Sequence, residues 1–115
     1  MSVDAVIQQA LDPIFPGAVF PNCYDGELLE YVAYTYEQIP EVYAERAPRA
    51  ARYLLRISYF LKHGTNPNPG KQRISRALFE AGCTWPEIIN GSDGDGQMYV
   101  FDCEYADGGG YYGQP

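Results

Sequence analysis

Hydrophobic positions near the N-terminus recur at i, i+3, i+4, i+7 and i+8, which is the spacing of one helix face. These positions are Val3, Val6, Ile7, Ala10 and Leu11. The helix is expected to stop at Asp12-Pro13, because the residue before a proline avoids the helical region. A short extended piece is predicted at residues 18–20, between pairs of turn-forming residues.

Two later stretches alternate between apolar and polar positions, as strands do. The first is residues 31–38, which are rich in tyrosine and β-branched residues. Pro40 interrupts it, and residues 42–44 are predicted to continue it as an edge segment. The second stretch is the clearest strand in the chain. It places Tyr53, Leu55, Ile57, Tyr59 and Leu61 on one face and Arg52, Leu54, Arg56 and Ser58 on the other.

A second helix is predicted after the loop "GTNPNPG". Asn68 is expected to be its N-cap and Pro69 its first helical residue, with Gly82 at its C-terminal cap. Its apolar face consists of Ile74, Ala77, Leu78 and Ala81.

The remaining residues predict one more strand. "CTWPEI" is expected to be extended or a turn, "NGSDGDG" a loop, and "QMYVFDCEY" an alternating last strand. Residues 1–105 are therefore expected to form a single α+β domain, a mostly antiparallel sheet of about four strands with two helices packed on one face. Residues 106–115, rich in Gly and Tyr, are expected to be a flexible tail.

Composition narrows the class of protein. The 115 residues suit one domain. They contain neither an apolar run of about 20 residues nor a signal peptide, so we expect a protein without a membrane span that is made and used in the cytoplasm. Cys23, Cys83 and Cys103 lack C-x-x-C spacing and are expected to be reduced.

The charge is distributed very unevenly along the chain. The net charge is −7, yet all eight Lys and Arg fall between Arg46 and Arg76, where there is no Asp or Glu. Arg52 and Arg56 would be explained by pairing with acidic residues on neighbouring strands, and Arg73 and Arg76 by the solvated face of the second helix. A third explanation is that a positive and a negative surface on one subunit meet head to tail, a contact that closes into a ring.

Patterns typical of catalysis or cofactor binding are weak. His63 has no Cys or acidic residue near it in sequence that would complete a metal site or a catalytic triad, and no serine lies in a G-x-S-x-G motif. We therefore assign no catalytic residue and no cofactor. Asp93, Asp95 and Glu104 have the spacing of part of a calcium loop, but Glu104 falls in a strand pattern, which favours a solvated hairpin loop. A calcium module and DNA binding through the basic block are kept as alternatives.

Four passages, together with the short first helix, carry a family resemblance over residues 3–105. They are "VFPNCYDGELLEYVAYTYEQIPEVYAERAP", "RAARYLLRISYFLK", "GKQRISRALFEAGCTW" and "GQMYVFDCEY". In element order and residue type the chain resembles the tail terminator and tail completion proteins of long-tailed bacteriophages, also called minor capsid or head–tail joining proteins.

The resemblance implies a structural virion protein without enzymatic activity. It implies a homohexameric ring at the head-proximal end of the tail tube, assembled in the bacterial host cytoplasm. The ring would stop tube growth and offer a surface to the head connector or neck protein, while the genome passes through its channel without specific binding. The family supplies no fixed functional residues.

The choice of interface residues is therefore a hypothesis that rests on the charge distribution of this sequence. We expect basic residues of one subunit to contact acidic residues of the next. The basic set is Arg46, Arg49, Lys71, Arg73 and Arg76, and the acidic set is Glu37, Glu41 and Glu45.

A loop is the second candidate site, since rigid surface loops often carry recognition. It is expected to contact the tail tube or the connector through His63, Thr65, Asn66, Pro67 and Asn68. The alternative function is a small non-enzymatic adaptor or regulatory domain that binds a protein partner as a monomer or dimer.

Overall fold

The computed structural model describes residues 2–39 and 52–106, and within them the chain forms two helices and five strands. In chain order they are α1 (Val3–Leu11), β1 (Val19–Pro21), β2 (Tyr31–Ile39), β3 (Arg52–Leu61), α2 (Asn68–Glu80), β4 (Glu87–Asn90) and β5 (Gln97–Ala106). The predicted edge segment at residues 42–44 and residues 107–115 of the predicted tail lie outside the described residues, whereas Ala106, predicted to belong to that tail, is the last residue of β5.

The strands form one mixed sheet in the order β1-β2-β3-β5-β4. β1 runs parallel to β2, and all other neighbours are antiparallel. The α+β class is confirmed, but the expected number of about four strands is too low, because β4 adds a second edge. All four residues of β4 are exposed, so no alternation of burial marks it in the sequence.

Helix α1 has the predicted face and the predicted end. The side chain of Ser2 caps it by accepting a hydrogen bond from the backbone N–H of Ala5, at 3.1 Å. The helix ends at Leu11, immediately before Asp12-Pro13. Its apolar face is buried, as the spacing predicts.

Helix α2 begins one residue earlier than predicted. Asn68 is its first residue and is not the N-cap, and Pro67 occupies the cap position without a side-chain hydrogen bond. The side chain of Asn66 instead accepts a hydrogen bond from the N–H of Asn68, at 3.1 Å. Pro67 and Pro69 have no backbone N–H, so two of the donors at the start of the helix that a capping side chain could bind are absent.

The C-terminus of α2 confirms the predicted glycine cap. Gly82 has φ +104°, a conformation that glycine adopts without the strain of a Cβ. The N–H of Cys83 donates to the carbonyl of Leu78 at 3.0 Å, and that of Gly82 to Phe79 at 3.1 Å. This is a Schellman motif.

Both helices pack on one side of the sheet, which we call the covered face. The core on this side consists mainly of Val19, Val32, Tyr34, Leu55, Ile57, Tyr59, Leu61, Tyr99, Phe101 and Cys103 from the strands, with Val3, Ile7, Leu11, Ile74 and Leu78 from the helices. The predicted alternation of β3 and β5 is confirmed, since their core residues occupy every second position. No helix in the described ranges is long and apolar enough to cross a membrane.

Tyr59 and Gly70 set the closeness of α2 to the sheet. A Cβ on Gly70 would overlap the Tyr59 hydroxyl, so the helix can approach here only without a side chain. The same hydroxyl donates a hydrogen bond to the carboxylate of Glu30. Burial, followed by this hydrogen bond, raises the pKa of Tyr59 above its ordinary value. Tyr59 thus ties α2 and the segment before β2 to the central strand.

Candidate functional site

The side of the sheet opposite the helices, which we call the open face, has no helix over it in the described part of the chain, and Tyr24 covers one corner by stacking on Phe20 of β1, with ring centroids 4.2 Å apart. Strand register arranges its side chains in rows that cross the sheet. The rows are Ala33, Ser58, Val100 and Ile89; then Thr35, Arg56, Asp102 and Glu87; then Glu37, Leu54 and Glu104. Apolar, charged and mixed rows therefore follow one another along β3.

Two ion pairs cross the open face between β3 and β5. Arg56 binds Asp102 in a bidentate manner, with Nε–Oδ1 at 2.9 Å and Nη2–Oδ2 at 3.0 Å, which raises the pKa of Arg56. Arg52 Nη2 donates to Glu104 Oε1 at 2.7 Å. The suggestion that strand arginines pair with carboxylates on neighbouring strands is confirmed.

The open face still carries more carboxylates than cations. Glu87 stands directly opposite Asp102, and Glu37 directly opposite Leu54. Counting Glu37, Glu87, Asp102 and Glu104 against Arg52 and Arg56 gives four negative and two positive groups, a formal net of −2. Like charges directly opposite each other are unfavourable.

A second surface, which we call the helix surface, is formed by Lys71, Arg73, Arg76, Phe79 and Trp85 around a recess between α2 and β4. The rings of Phe79 and Trp85 meet edge to face, with centroids 5.6 Å apart. Both are more than half exposed, at 55% and 58%.

The cations of the helix surface have different surroundings. Lys71 Nζ lies 4.6 Å from the ring centroid of Tyr99, within cation–π distance. Arg73 and Arg76 are exposed, as a solvated helix face predicts, and neither forms an ion pair with a residue in the described ranges. The charge of Arg73 acts on the Tyr59 hydroxyl. Arg76 is therefore the cation of this surface with the fewest internal ties.

The structure separates the predicted basic and acidic interface residues instead of bringing them together. Lys71, Arg73 and Arg76 belong to α2, on the covered side of the sheet, whereas Glu37 projects from β2 on the open face. The other predicted interface residues, Arg46, Arg49, Glu41 and Glu45, lie outside the described residues.

The predicted recognition loop is held firmly by its neighbours. Gln97 Nε2 donates to the carbonyl of Thr65 at 2.8 Å and to that of Lys62 at 3.0 Å. His63 Nε2 is 2.9 Å from the carbonyl oxygen of Asp93, across the β4–β5 hairpin loop. His63, Asn66 and Asn68 remain exposed, whereas Thr65 and Pro67 are half-buried. Its role in binding a partner stays a prediction.

The structure does not assemble the residues of the suggested calcium loop. Asp93 Oδ1 accepts a hydrogen bond from the N–H of Asp95 at 2.8 Å, which closes a tight turn. Glu104 lies near the far end of β5 and pairs with Arg52. Among residues 2–39 and 52–106, no group of three potential metal ligands is found.

All three cysteines are free thiols, as predicted. Cys23 is exposed, whereas Cys83 and Cys103 are buried. A hydrogen bond with Cys83, followed by burial, raises the pKa of Cys103. The same hydrogen bond lowers the pKa of Cys83, so Cys103 is the member of the buried pair that keeps its proton more firmly.

Sequence reasoning missed the aromatic part of the helix surface, because large apolar residues are assigned to the core by default. A signal was present for Phe79, which falls outside the predicted apolar face of α2. Trp85 carried no comparable signal. No protein-family model matches the sequence, and no curated protein matches it.

Proposed function

We propose that this chain is the subunit of a homo-oligomeric ring that acts as a bacteriophage tail terminator. In this role six copies sit at the head-proximal end of the tail tube and stop its growth. The ring joins the tail to the head connector, and DNA passes through its channel. The role is structural, with no catalytic step and no cofactor.

The observation that carries the proposal is the presence of two unlike surfaces on opposite sides of one sheet. A closed ring needs two different, complementary patches on every subunit. The open face has a formal net charge of −2, and the helix surface carries three cations. Both also expose large apolar side chains, which a monomer has no need to present together.

The order of elements gives further support. Helix, three strands, helix and two strands follow one another from Val3 to Ala106. The passages on which the family resemblance depends include β1, β2, β3, nearly all of β5, and α2 from Gly70 onwards, but not β4. The resemblance and the two surfaces are independent arguments for the same kind of assembly.

The proposal is tested by the mass of the purified protein in solution, measured by light scattering over a wide concentration range. We expect a hexamer, or a monomer–hexamer equilibrium that weakens as salt rises from about 20 mM to about 0.5 M, since salt screens exposed charges. Electron microscopy of the assembled fraction should show rings with a central channel. A monomer at every concentration and salt level would overturn the proposal and favour the adaptor.

We assign contact with the tube or the connector to the loop that contains His63 and Asn68. Both side chains are exposed, and the bonds from Gln97 to the carbonyls of Lys62 and Thr65 remain when they are changed, although His63→Ala also removes the contact with the Asp93 carbonyl. His63→Ala with Asn68→Ala should leave the ring intact and abolish co-sedimentation with tail tubes. Co-sedimentation equal to that of the unchanged protein would exclude this loop.

A further inference from the structure

We infer that the helix surface of one copy covers the open face of the next copy around the ring. Trp85 and α2 of the neighbour then supply a layer that residues 2–39 and 52–106 do not place on the second side of the sheet. This inference rests on the proposed ring and identifies the contact that builds it.

The open face has apolar side chains that are available for such a contact. Leu54 is 44% exposed and Ile89 is 48% exposed, and they lie on either side of the row that contains Arg56 and Asp102. Sheets are normally buried by a second layer on each apolar face. Here the described chain supplies that layer on one side only.

The carboxylates of the open face favour a positively charged surface as its partner. Glu87 faces Asp102 across β4 and β5, and the only arginine bonded to this pair of carboxylates is Arg56, through Asp102, in the described ranges. Glu37 lies close enough to Arg56 to influence its pKa but forms no ion pair in the described residues. A cation from outside would therefore gain one partly uncompensated carboxylate at either of two places, Glu87 on β4 or Glu37 on β2, which lie three strands apart. Arg76 is such a cation, because it has no ion pair in its own subunit's described residues.

The aromatic pair gives the contact an anchor. Trp and Arg are the residue types most enriched at the energetic centres of protein interfaces. Trp85 is held against Phe79, so little conformational freedom is lost when it is buried. Its apolar surface matches Leu54 and Ile89 on the open face, while Arg76 matches the carboxylates between them.

The open face has the size of one side of a protein interface. Four strands at about 4.8 Å spacing, along a β3 of ten residues at about 3.3 Å each, cover roughly 500–600 Å². One partner of a specific interface contributes about 800 Å². The face thus provides most of such an area, and the contact is made twice by each subunit, once with each neighbour.

The direction of the contact follows from the fold. The helix surface and the open face lie on opposite sides of one sheet, so the contact is head to tail and each copy leaves one surface of each kind for the next. An isolated two-fold dimer would instead use the same patch on both copies. A head-to-tail contact closes into a ring when the rotation between copies closes and otherwise gives a filament, so with the proposed ring it predicts rings and no stable dimer of the unchanged chain.

Two single substitutions test the contact from its two sides. Arg76→Glu places a negative charge on the helix surface, and Leu54→Glu places one in the centre of the open face. Each should weaken assembly tenfold or more and leave a folded monomer, because the charge then faces carboxylates or aromatic rings across the interface. When the two variants are mixed, the intact helix surface of one can bind the intact open face of the other. The expected product is a one-to-one complex that does not grow further.

Matched variants separate this contact from general effects of charge. Lys62→Glu makes the same charge change as Arg76→Glu at an exposed position just beyond the end of β3, outside the helix surface and outside the three rows named above. Leu28→Glu matches Leu54→Glu, since the two leucines are 43% and 44% exposed. Both controls should assemble as the unchanged protein does, and circular dichroism should show all four variants folded.

The outcomes distinguish the contact from the ring itself. Rings that persist with both Arg76→Glu and Leu54→Glu would overturn the inferred contact and leave the proposed function standing. Two monomeric variants that fail to form a one-to-one complex would overturn it as well, because their intact surfaces should pair. An unchanged protein that never forms rings would overturn the proposed function.

Discussion

The two faces of the sheet are built from the same strands but differ in how far their side chains are buried. On β3, Leu55, Ile57 and Tyr59 point to the covered face and are 1%, 0% and 1% exposed. Their neighbours Leu54 and Arg56 point to the open face and are exposed. The covered face therefore carries the burial that stabilises the subunit, whereas the open face can change with little effect on folding.

The sharpest test of this difference uses two leucines that are adjacent in sequence. Leu55→Ala should lower the free energy of unfolding by about 2–5 kcal/mol, because it removes a packed side chain and leaves a cavity. Leu54→Ala makes the same chemical change on the open face and should cost less than about 1 kcal/mol. Urea denaturation of both variants, at one protein concentration, measures the difference.

Equal losses from the two leucine variants would contradict the division between the faces. A large loss for Leu54→Ala that persists at concentrations where the protein is monomeric would show that another part of the same chain covers the open face. In that case the open face would not be available for a second copy.

The β3 strand and helix α1 could be predicted from sequence because their signals are local. In β3 the buried side chains of Leu55, Ile57, Tyr59 and Leu61 occupy every second position. The apolar positions of α1 all fall on one helix face. The pairing of Arg56 with a neighbouring carboxylate followed from the same alternation. The sequence could not identify Asp102 as its partner, since strand order depends on contacts far apart in the chain.

Other features escaped because their causes are not local. β4 has exposed side chains throughout and exists through its pairing with β5. The start of α2 was misplaced by one residue, because Asn66 rather than Asn68 supplies the side-chain hydrogen bond. For the candidate site, the cations of α2 were anticipated, whereas the grouping of carboxylates on the open face required the register of the sheet and the exposure of Trp85 required the tertiary structure.

Gly70 tests how tightly the covered face is packed under α2. Gly70→Ala should raise helix propensity by up to about 1 kcal/mol, yet its Cβ would overlap the Tyr59 hydroxyl. Overpacking of this kind costs about 1–3 kcal/mol, so a net loss of about 1–2 kcal/mol in the free energy of unfolding is expected. Thermal and urea denaturation measure it.

Two variants check the cause of the Gly70 effect. A Cβ on Gly94 meets nothing within 4 Å, so Gly94→Ala should have almost no effect. Tyr59→Phe removes the overlapping hydroxyl and should recover part of the loss when combined with Gly70→Ala. A stabilising Gly70→Ala would show that Tyr59 moves aside freely and that the covered face is loosely packed here.

Alkaline pH should weaken the covered face through Tyr59. Burial and the hydrogen bond to Glu30 raise its pKa in the folded state, so the unfolded chain releases this proton first as pH rises. The stabilisation is present below pH 10, near the ordinary pKa of tyrosine, and declines at higher pH towards the raised folded-state pKa. Urea denaturation from about pH 8 to 11 should show a shallower decline for Tyr59→Phe than for the unchanged protein. Parallel declines would assign the alkaline loss to other groups.

The ion pair between Arg56 and Asp102 should give the smallest effect, because it lies on the open face where water competes for both partners. Arg56→Gln leaves Asp102 opposite Glu87 without a cation between strands, so the melting temperature should fall slightly at low salt and less at high salt. Glu87→Gln in the same background should restore most of the difference, since it removes the facing charge. Lys62→Gln, which loses one positive charge without breaking an ion pair, is the matched control. A large fall in melting temperature that does not depend on salt would mean that the alkyl part of Arg56 is packed as tightly as the side chains of the covered face. The difference between the two faces would then not hold at the centre of the sheet.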